Sequence, residues 1–104
     1  MKNNLLDLAK NANTLLEVRE KLLSDCKFEA FRDVNTEEEG FWVRKEIGSK
    51  RAAIALSIKA GRGISVNVNS LERYKVLEGT PSMKEVMDKI DEFMTELYGN
   101  GWEK

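Results

Sequence analysis

Apolar residues recur at steps of three and four along the first quarter of the chain: Leu5, Leu8, Ala9, Ala12, Leu15, Leu16, Leu22 and Leu23. That period predicts a helix over residues 4–24, its stripe buried against a sheet, with an exposed stripe for dimerisation as the alternative. Asn11, Asn13 and Thr14 are poor helix formers, and Thr14-Leu15-Leu16-Glu17 has the spacing of a capping box. The segment therefore reads as one helix or as two in succession.

From Lys27 the period falls to two, the signature of strands. Phe28 and Ala30 alternate with Glu29 and Phe31, and Asn35-Thr36-Glu37-Glu38-Glu39-Gly40 supplies a polar turn ending in glycine. Phe41 to Ile47 reads as the next strand and Gly48-Ser49-Lys50-Arg51 as a turn. Ile54, Leu56 and Ile58 then alternate with Ala53, Ala55, Ser57 and Lys59. After Ala60-Gly61-Arg62-Gly63 the alternation resumes as Ile64, Val66 and Val68 against Ser65, Asn67 and Asn69. This hairpin offers one face of branched aliphatic side chains for a core and one of small and polar groups for solvent or a ligand. Leu71 to Glu78 fits two readings, a short helix capped by Ser70 and ended by Gly79, or a further strand carrying Tyr74 and Val76.

The last third turns helical at Ser82, since Ser82-Met83-Lys84-Glu85 has capping-box spacing and Met83, Val86, Met87, Ile90, Phe93, Met94 and Leu97 form one apolar face. Gly99-Asn100-Gly101 ends it, and Trp102 beyond either folds back on the core or stays in a tail. The three methionines on this face are read as adaptable core filler rather than a promiscuous groove. The expected fold is α+β: an N-terminal helix, a three- to four-stranded antiparallel sheet and a C-terminal amphipathic helix, one domain over residues 1–104. Both helical stripes should pack on one sheet face and leave the other at least partly open.

Charge changes the picture because it is sorted along the chain. The formal net charge is −1, yet residues 41–77 hold eight basic side chains (Arg44, Lys45, Lys50, Arg51, Lys59, Arg62, Arg73, Lys75) against two acidic ones, and both flanks are acidic. A basic middle suggests a face for an anionic partner, since clustered Lys and Arg replace the counterions condensed on phosphates. Phe41 and Trp42 lead into Arg44-Lys45, Lys50-Arg51 sit in the next turn, and Lys59 and Arg62 flank the hairpin tip. Extended nucleotides can stack on such aromatic rings while the cations track the backbone. The expected nucleic-acid-binding residues are Trp42, Arg44, Lys45, Lys50, Arg51, Lys59 and Arg62. Against this stands the reading that Trp42 is core and the cations form a solvated face paired with the acidic flanks.

Catalytic constellations are thin. The chain has no histidine, which removes the commonest general base and every histidine-containing triad or metal site. Gly61-Arg62-Gly63 lacks the third glycine of a dinucleotide fingerprint, and Gly48-Ser49-Lys50-Arg51 lacks the leading glycine and Lys-Ser/Thr order of a P-loop. Glu37-Glu38-Glu39 reads as a solvated run rather than a cation site. Cys26, the one cysteine, has no base to activate it and suits a reducing compartment. No apolar run approaches the roughly 20 residues that span a bilayer, and Asp7 interrupts any signal-peptide core. The expectation is a cytoplasmic, non-enzymatic protein without cofactor, metal or membrane partner.

Gly40-Phe41-Trp42-Val43-Arg44-Lys45-Glu46 and Lys59-Ala60-Gly61-Arg62-Gly63-Ile64-Ser65-Val66 resemble the aromatic-basic strand and the basic, glycine-bearing turn and final strand of the positive cofactor four family of single-stranded-DNA-binding proteins. The resemblance covers residues 40–69. It implies a curved four-stranded antiparallel sheet followed by a helix, a homodimer as the usual assembly, and strand contacts by Trp42, Arg44, Lys45, Lys59 and Arg62. The long N-terminal helical segment, the final strand continued through Asn67-Val68-Asn69 and the acidic last helix depart from that pattern. The competing expectation is a small protein-interaction module, an inhibitor or adaptor that docks a basic partner through Glu37–Glu39 and the carboxylates Asp88, Asp91, Glu92 and Glu96.

Overall fold

The computed structural model describes residues 4–33 and 40–104. The polar turn expected at 35–40 falls outside them save for Gly40, and so does the Glu37–Glu39 run. Helix α1 (Asn4–Ser24) leads into strands β1 (Glu29–Asp33), β2 (Gly40–Ile47), β3 (Lys50–Lys59), β4 (Gly63–Val68) and β5 (Arg73–Glu78), and helix α2 (Met83–Tyr98) follows. The strands form one antiparallel sheet in the order β1-β2-β3-β4-β5, each paired with its sequence neighbour. The architecture is the expected α+β, with a correction in strand number from three or four to five. The extra strand is the ambiguous stretch before Gly79. It is a strand because Arg73 to Glu78 make a six-residue ladder with Gly63 to Val68, while Ser70 takes a positive φ of 54° instead of the extended conformation of a helix cap.

Both helices lie on one side of this sheet: α1 packs on β2 and β3, α2 on β4, and the helices touch one another. Alternation along the strands sends Phe41, Val43, Ala52, Ile54, Leu56, Ile58, Ile64, Val66 and Val68 into the space beneath them, where they meet Val18, Leu22, Val86, Ile90 and Met94. Each fully buried aliphatic side chain of this set contributes roughly 1.5–3 kcal/mol through apolar area removed from water. Met94 is core filler, as expected of it.

Helix α1 is continuous through its poor helix formers, and two of them have another task. Asn11 Nδ2 donates to the Gly79 carbonyl at 3.0 Å and Thr14 Oγ1 to the Pro81 carbonyl at 3.1 Å, so both tie α1 to the connection between β5 and α2. The capping spacing at Thr14 is unused. At α2 the capping box forms: Ser82 Oγ accepts from the Glu85 amide at 3.1 Å and Glu85 Oε1 accepts from the Ser82 amide at 2.7 Å. Trp102 folds back to 4% exposure, edge-on to Phe28 with ring centroids 6.3 Å apart, its Nε1 donating to Asp91 at 2.7 Å. Among the described residues no helix is long and apolar enough to cross a membrane.

Candidate binding face

Among the described residues no helix covers the other side of the sheet. The residues that alternate with the core set reach it: Trp42 and Arg44 from β2, Arg51, Ala53, Ala55, Ser57 and Lys59 from β3, Ser65 and Asn67 from β4, Tyr74 and Val76 from β5. The register places Trp42 opposite Ala55, Ala55 opposite Asn67 and Asn67 opposite Tyr74, so one cross-strand row runs aromatic, small, polar, aromatic. Three inter-strand steps of about 4.8 Å set the two aromatic positions roughly 14 Å apart. Between them opens a groove of about 620 Å³, lined by Trp42, Ala55, Ser57, Lys59, Ser65, Asn67, Leu71 and Tyr74 together with Leu56. Its depth comes from the floor, because alanine and serine stand where a longer side chain would fill the space. The floor serines bond to each other, Oγ to Oγ at 2.9 Å.

The rims carry exposed apolar surface. Phe31, 41% exposed, meets Trp42 with ring centroids 5.9 Å apart, and the Arg44 guanidinium lies 4.5 Å over the Phe31 centroid. Across the groove Tyr74 is 46% exposed and Leu71 is 65% exposed. Leu71 sits in an unusual turn: Asn69, Ser70 and Leu71 have successive φ values of 56°, 54° and 77°. For residues other than glycine the left-handed region costs about 1–2 kcal/mol each, less for asparagine. Side chains hold the turn there. Asn69 Oδ1 accepts from the Ala53 amide at 3.0 Å, Asn69 Nδ2 donates to Tyr98 Oη at 2.8 Å and Glu72 at 3.1 Å, and Asn67 Oδ1 accepts from the Leu71 amide at 2.7 Å.

The expected site residues divide in space. Trp42, Arg44, Arg51 and Lys59 stand on the open face, and Arg62, at the hairpin tip, pairs with Glu78 of β5. Lys45 does not join them. Adjacent strand residues point to opposite sides, so Lys45 lies on the helix side, where Nζ donates to the Cys26 carbonyl at 2.8 Å, the Trp102 carbonyl and the Lys104 carbonyl at 3.4 Å. Burial there pushes its pKa below the ordinary lysine value. Lys50 shares that register, exposed at the β2–β3 turn, and Arg73 and Lys75 share it on β5. The basic segment is thus split between two faces and does not make one positive patch.

Much of the remaining charge is paired. Arg44 meets Glu29 at 3.2 Å, Arg51 meets Glu46 at 3.2 Å and Arg62 meets Glu78 at 2.8 Å. The proposed acidic docking residues are engaged as well: Asp88 with Lys84 at 2.8 Å, Glu92 with Lys89 at 2.8 Å, Glu96 with Arg73 at 2.8 Å, and Asp91 with Trp102. Cys26 is buried, and that burial raises its thiol pKa above the ordinary value, the opposite of an activated nucleophile. Among the described residues no three carboxylates, cysteines or histidines gather where they could hold a metal ion.

The site residues the sequence reading missed are Phe31, Leu71 and Tyr74. Tyr74 becomes visible only once β5 is paired with β4, and Leu71 only through the backbone of its turn. Set against known protein families, curated proteins and solved structures, the chain matched none.

Proposed function

We propose that the chain is a non-catalytic module that binds single-stranded nucleic acid on the open sheet face. The row Trp42–Ala55–Asn67–Tyr74 carries this reading: two aromatic rings roughly 14 Å apart bracket a small-residue floor with hydroxyl and amide groups between them. Stacked bases repeat every 3.4 Å or so along a strand, so the groove suits two or three of them. Each stacked base contributes about 1–3 kcal/mol irrespective of sequence. Ser57, Ser65 and Asn67 lie beneath the bases, and Arg44, Arg51, Lys59 and Arg62 stand around the rim toward the phosphates. Lys45 and Lys50 are outside this contact set.

The ion pairs give the proposal a distinctive form. A cation already held by a carboxylate releases fewer counterions on meeting a phosphate, so stacking supplies most of the affinity and salt dependence is shallow. The acidic adaptor reading has less support, since each α2 carboxylate named for it already has a partner within the chain.

The experiment is a gel shift with single- and double-stranded oligonucleotides at two salt concentrations. Preference for single strands, with a log-affinity slope on log salt of magnitude below about 1.4, equivalent to two phosphate contacts, supports the proposal. Equal binding of duplex with a steep slope, or no shift with either form, contradicts it.

A further inference from the structure

The turn between β4 and β5 has more in it than chain reversal requires. Three successive residues other than glycine hold a positive φ, and the last of them is a leucine. A bulky side chain is the least suited of all to that region, and strained backbone collects where a structure has a use for it. The strain here obtains no packing in return, because Leu71 is 65% exposed. Glycine would make the same turn with less strain and present nothing. What Leu71 does reach is the groove, whose wall it forms on the Tyr74 side.

The turn is also fastened from both sides of the sheet. Asn67, a member of the aromatic-bracketed row, accepts the Leu71 amide at 2.7 Å, and Asn69 reaches Tyr98 of α2 at 2.8 Å. The position of Leu71 over the groove is therefore set by the floor itself and by the second helix. We infer that Leu71 is a recognition residue: its side chain closes over the base stacked at Tyr74, adding an apolar contact to the outer face of the bound strand. The inference rests on the proposed single-strand reading and adds a binding residue that neither charge nor aromaticity marks.

The test uses the full chain, fluorescein-labelled oligo-dT of ten nucleotides, and three variants: Leu71→Gly, Leu71→Asn and Tyr74→Ala. Anisotropy gives affinity and thermal melting gives stability. Both Leu71 variants tolerate a positive φ, so melting temperature should stay level or rise while affinity falls about tenfold, the scale of one aliphatic side chain losing its buried surface. If Tyr74→Ala weakens binding and both Leu71 variants bind as tightly as the parent, the inference is overturned and the single-strand reading stands. A drop in melting temperature for both Leu71 variants also overturns it, by showing Leu71 to be a packing residue. Failure of the parent chain to bind the oligonucleotide overturns the inference and the reading together.

Discussion

The two faces of the sheet are built from alternate residues of the same strands, yet they follow different rules. Under the helices, β3 presents Ala52, Ile54, Leu56 and Ile58, all buried, and β4 presents Ile64, Val66 and Val68. On the open side the same strands present Ala53, Ala55, Ser57, Ser65 and Asn67, bracketed by Trp42 and Tyr74. A sheet face that only meets water ordinarily carries long polar side chains that cover the backbone. This one keeps its centre small and its margins aromatic. Packing accounts for the first face but not for the second, and the proposed ligand would account for it.

Substitutions along β3 separate the two faces with the largest effects. Ile54→Ala, beneath the helices, should cost about 2–5 kcal/mol of unfolding free energy in urea denaturation, through lost burial and the cavity left behind. Ala52→Leu should cost about 1–3 kcal/mol by overpacking the same layer. Ala55→Leu, three residues further on and facing the other way, should leave the urea midpoint nearly unchanged and fill the groove, so that oligonucleotide affinity falls. If Ala55→Leu destabilises as much as Ala52→Leu, the two faces are not different in kind.

Trp42 comes next. As a groove wall rather than a core residue it should lose about 1–3 kcal/mol of binding on truncation to alanine, and less stability than Ile54→Ala loses. Isothermal titration of the variant beside its urea curve separates the two. Smaller still are the rim charges. Arg44→Ala and Arg51→Ala each break an exposed pair, Arg44–Glu29 and Arg51–Glu46, and each should shift stability by less than about 1 kcal/mol.

The smallest effect lies on the covered side. The folded thiol of Cys26 keeps its proton to a higher pH than the unfolded one, whose value is near 9.0, so this group makes stability fall as pH rises through that value. Lys45 acts the other way, because its lowered folded pKa makes stability rise toward the unfolded value of 10.5. Urea curves of the parent and Cys26→Ala between pH 8 and 10.5 should diverge, with the parent losing more. At neutral pH the native thiol should react with a maleimide only as fast as the chain unfolds.

Most of the fold was legible where a strand is buried on one side. Ile54-Leu56-Ile58 and Ile64-Val66-Val68 alternate cleanly because one face of each is sealed under helices, and the strand pair and its faces follow from that alone. β5 was legible only as one of two readings, since Arg73-Tyr74-Lys75-Val76-Leu77-Glu78 is an edge strand with no fully buried position, and its ladder with β4 decides between them. The same cause hid Tyr74, half of the aromatic bracket. Trp42 was legible as an aromatic beside cations.

Lys45 shows a different failure. Arg44 and Lys45 look like one basic pair in the sequence, but a period of two separates them, and the alternation that puts Val43 in the core puts Lys45 on the same side. Lys50 and Arg51 part company for the same reason. Charge sorted along a strand is not charge sorted in space. Leu71 carried no sequence signal at all, because its display depends on backbone angles fixed by Asn67 and Asn69.

Amide chemical-shift mapping of the ¹⁵N-labelled chain during titration with the ten-nucleotide oligo-dT locates the binding surface residue by residue. Shifts should concentrate on Trp42, Ala55, Asn67, Leu71 and Tyr74, with the indole N–H of Trp42 moving and that of buried Trp102 still. Shifts centred instead on Lys45, Lys50 and the helices, or none at saturating oligonucleotide, would contradict the assignment of the open face as the binding surface.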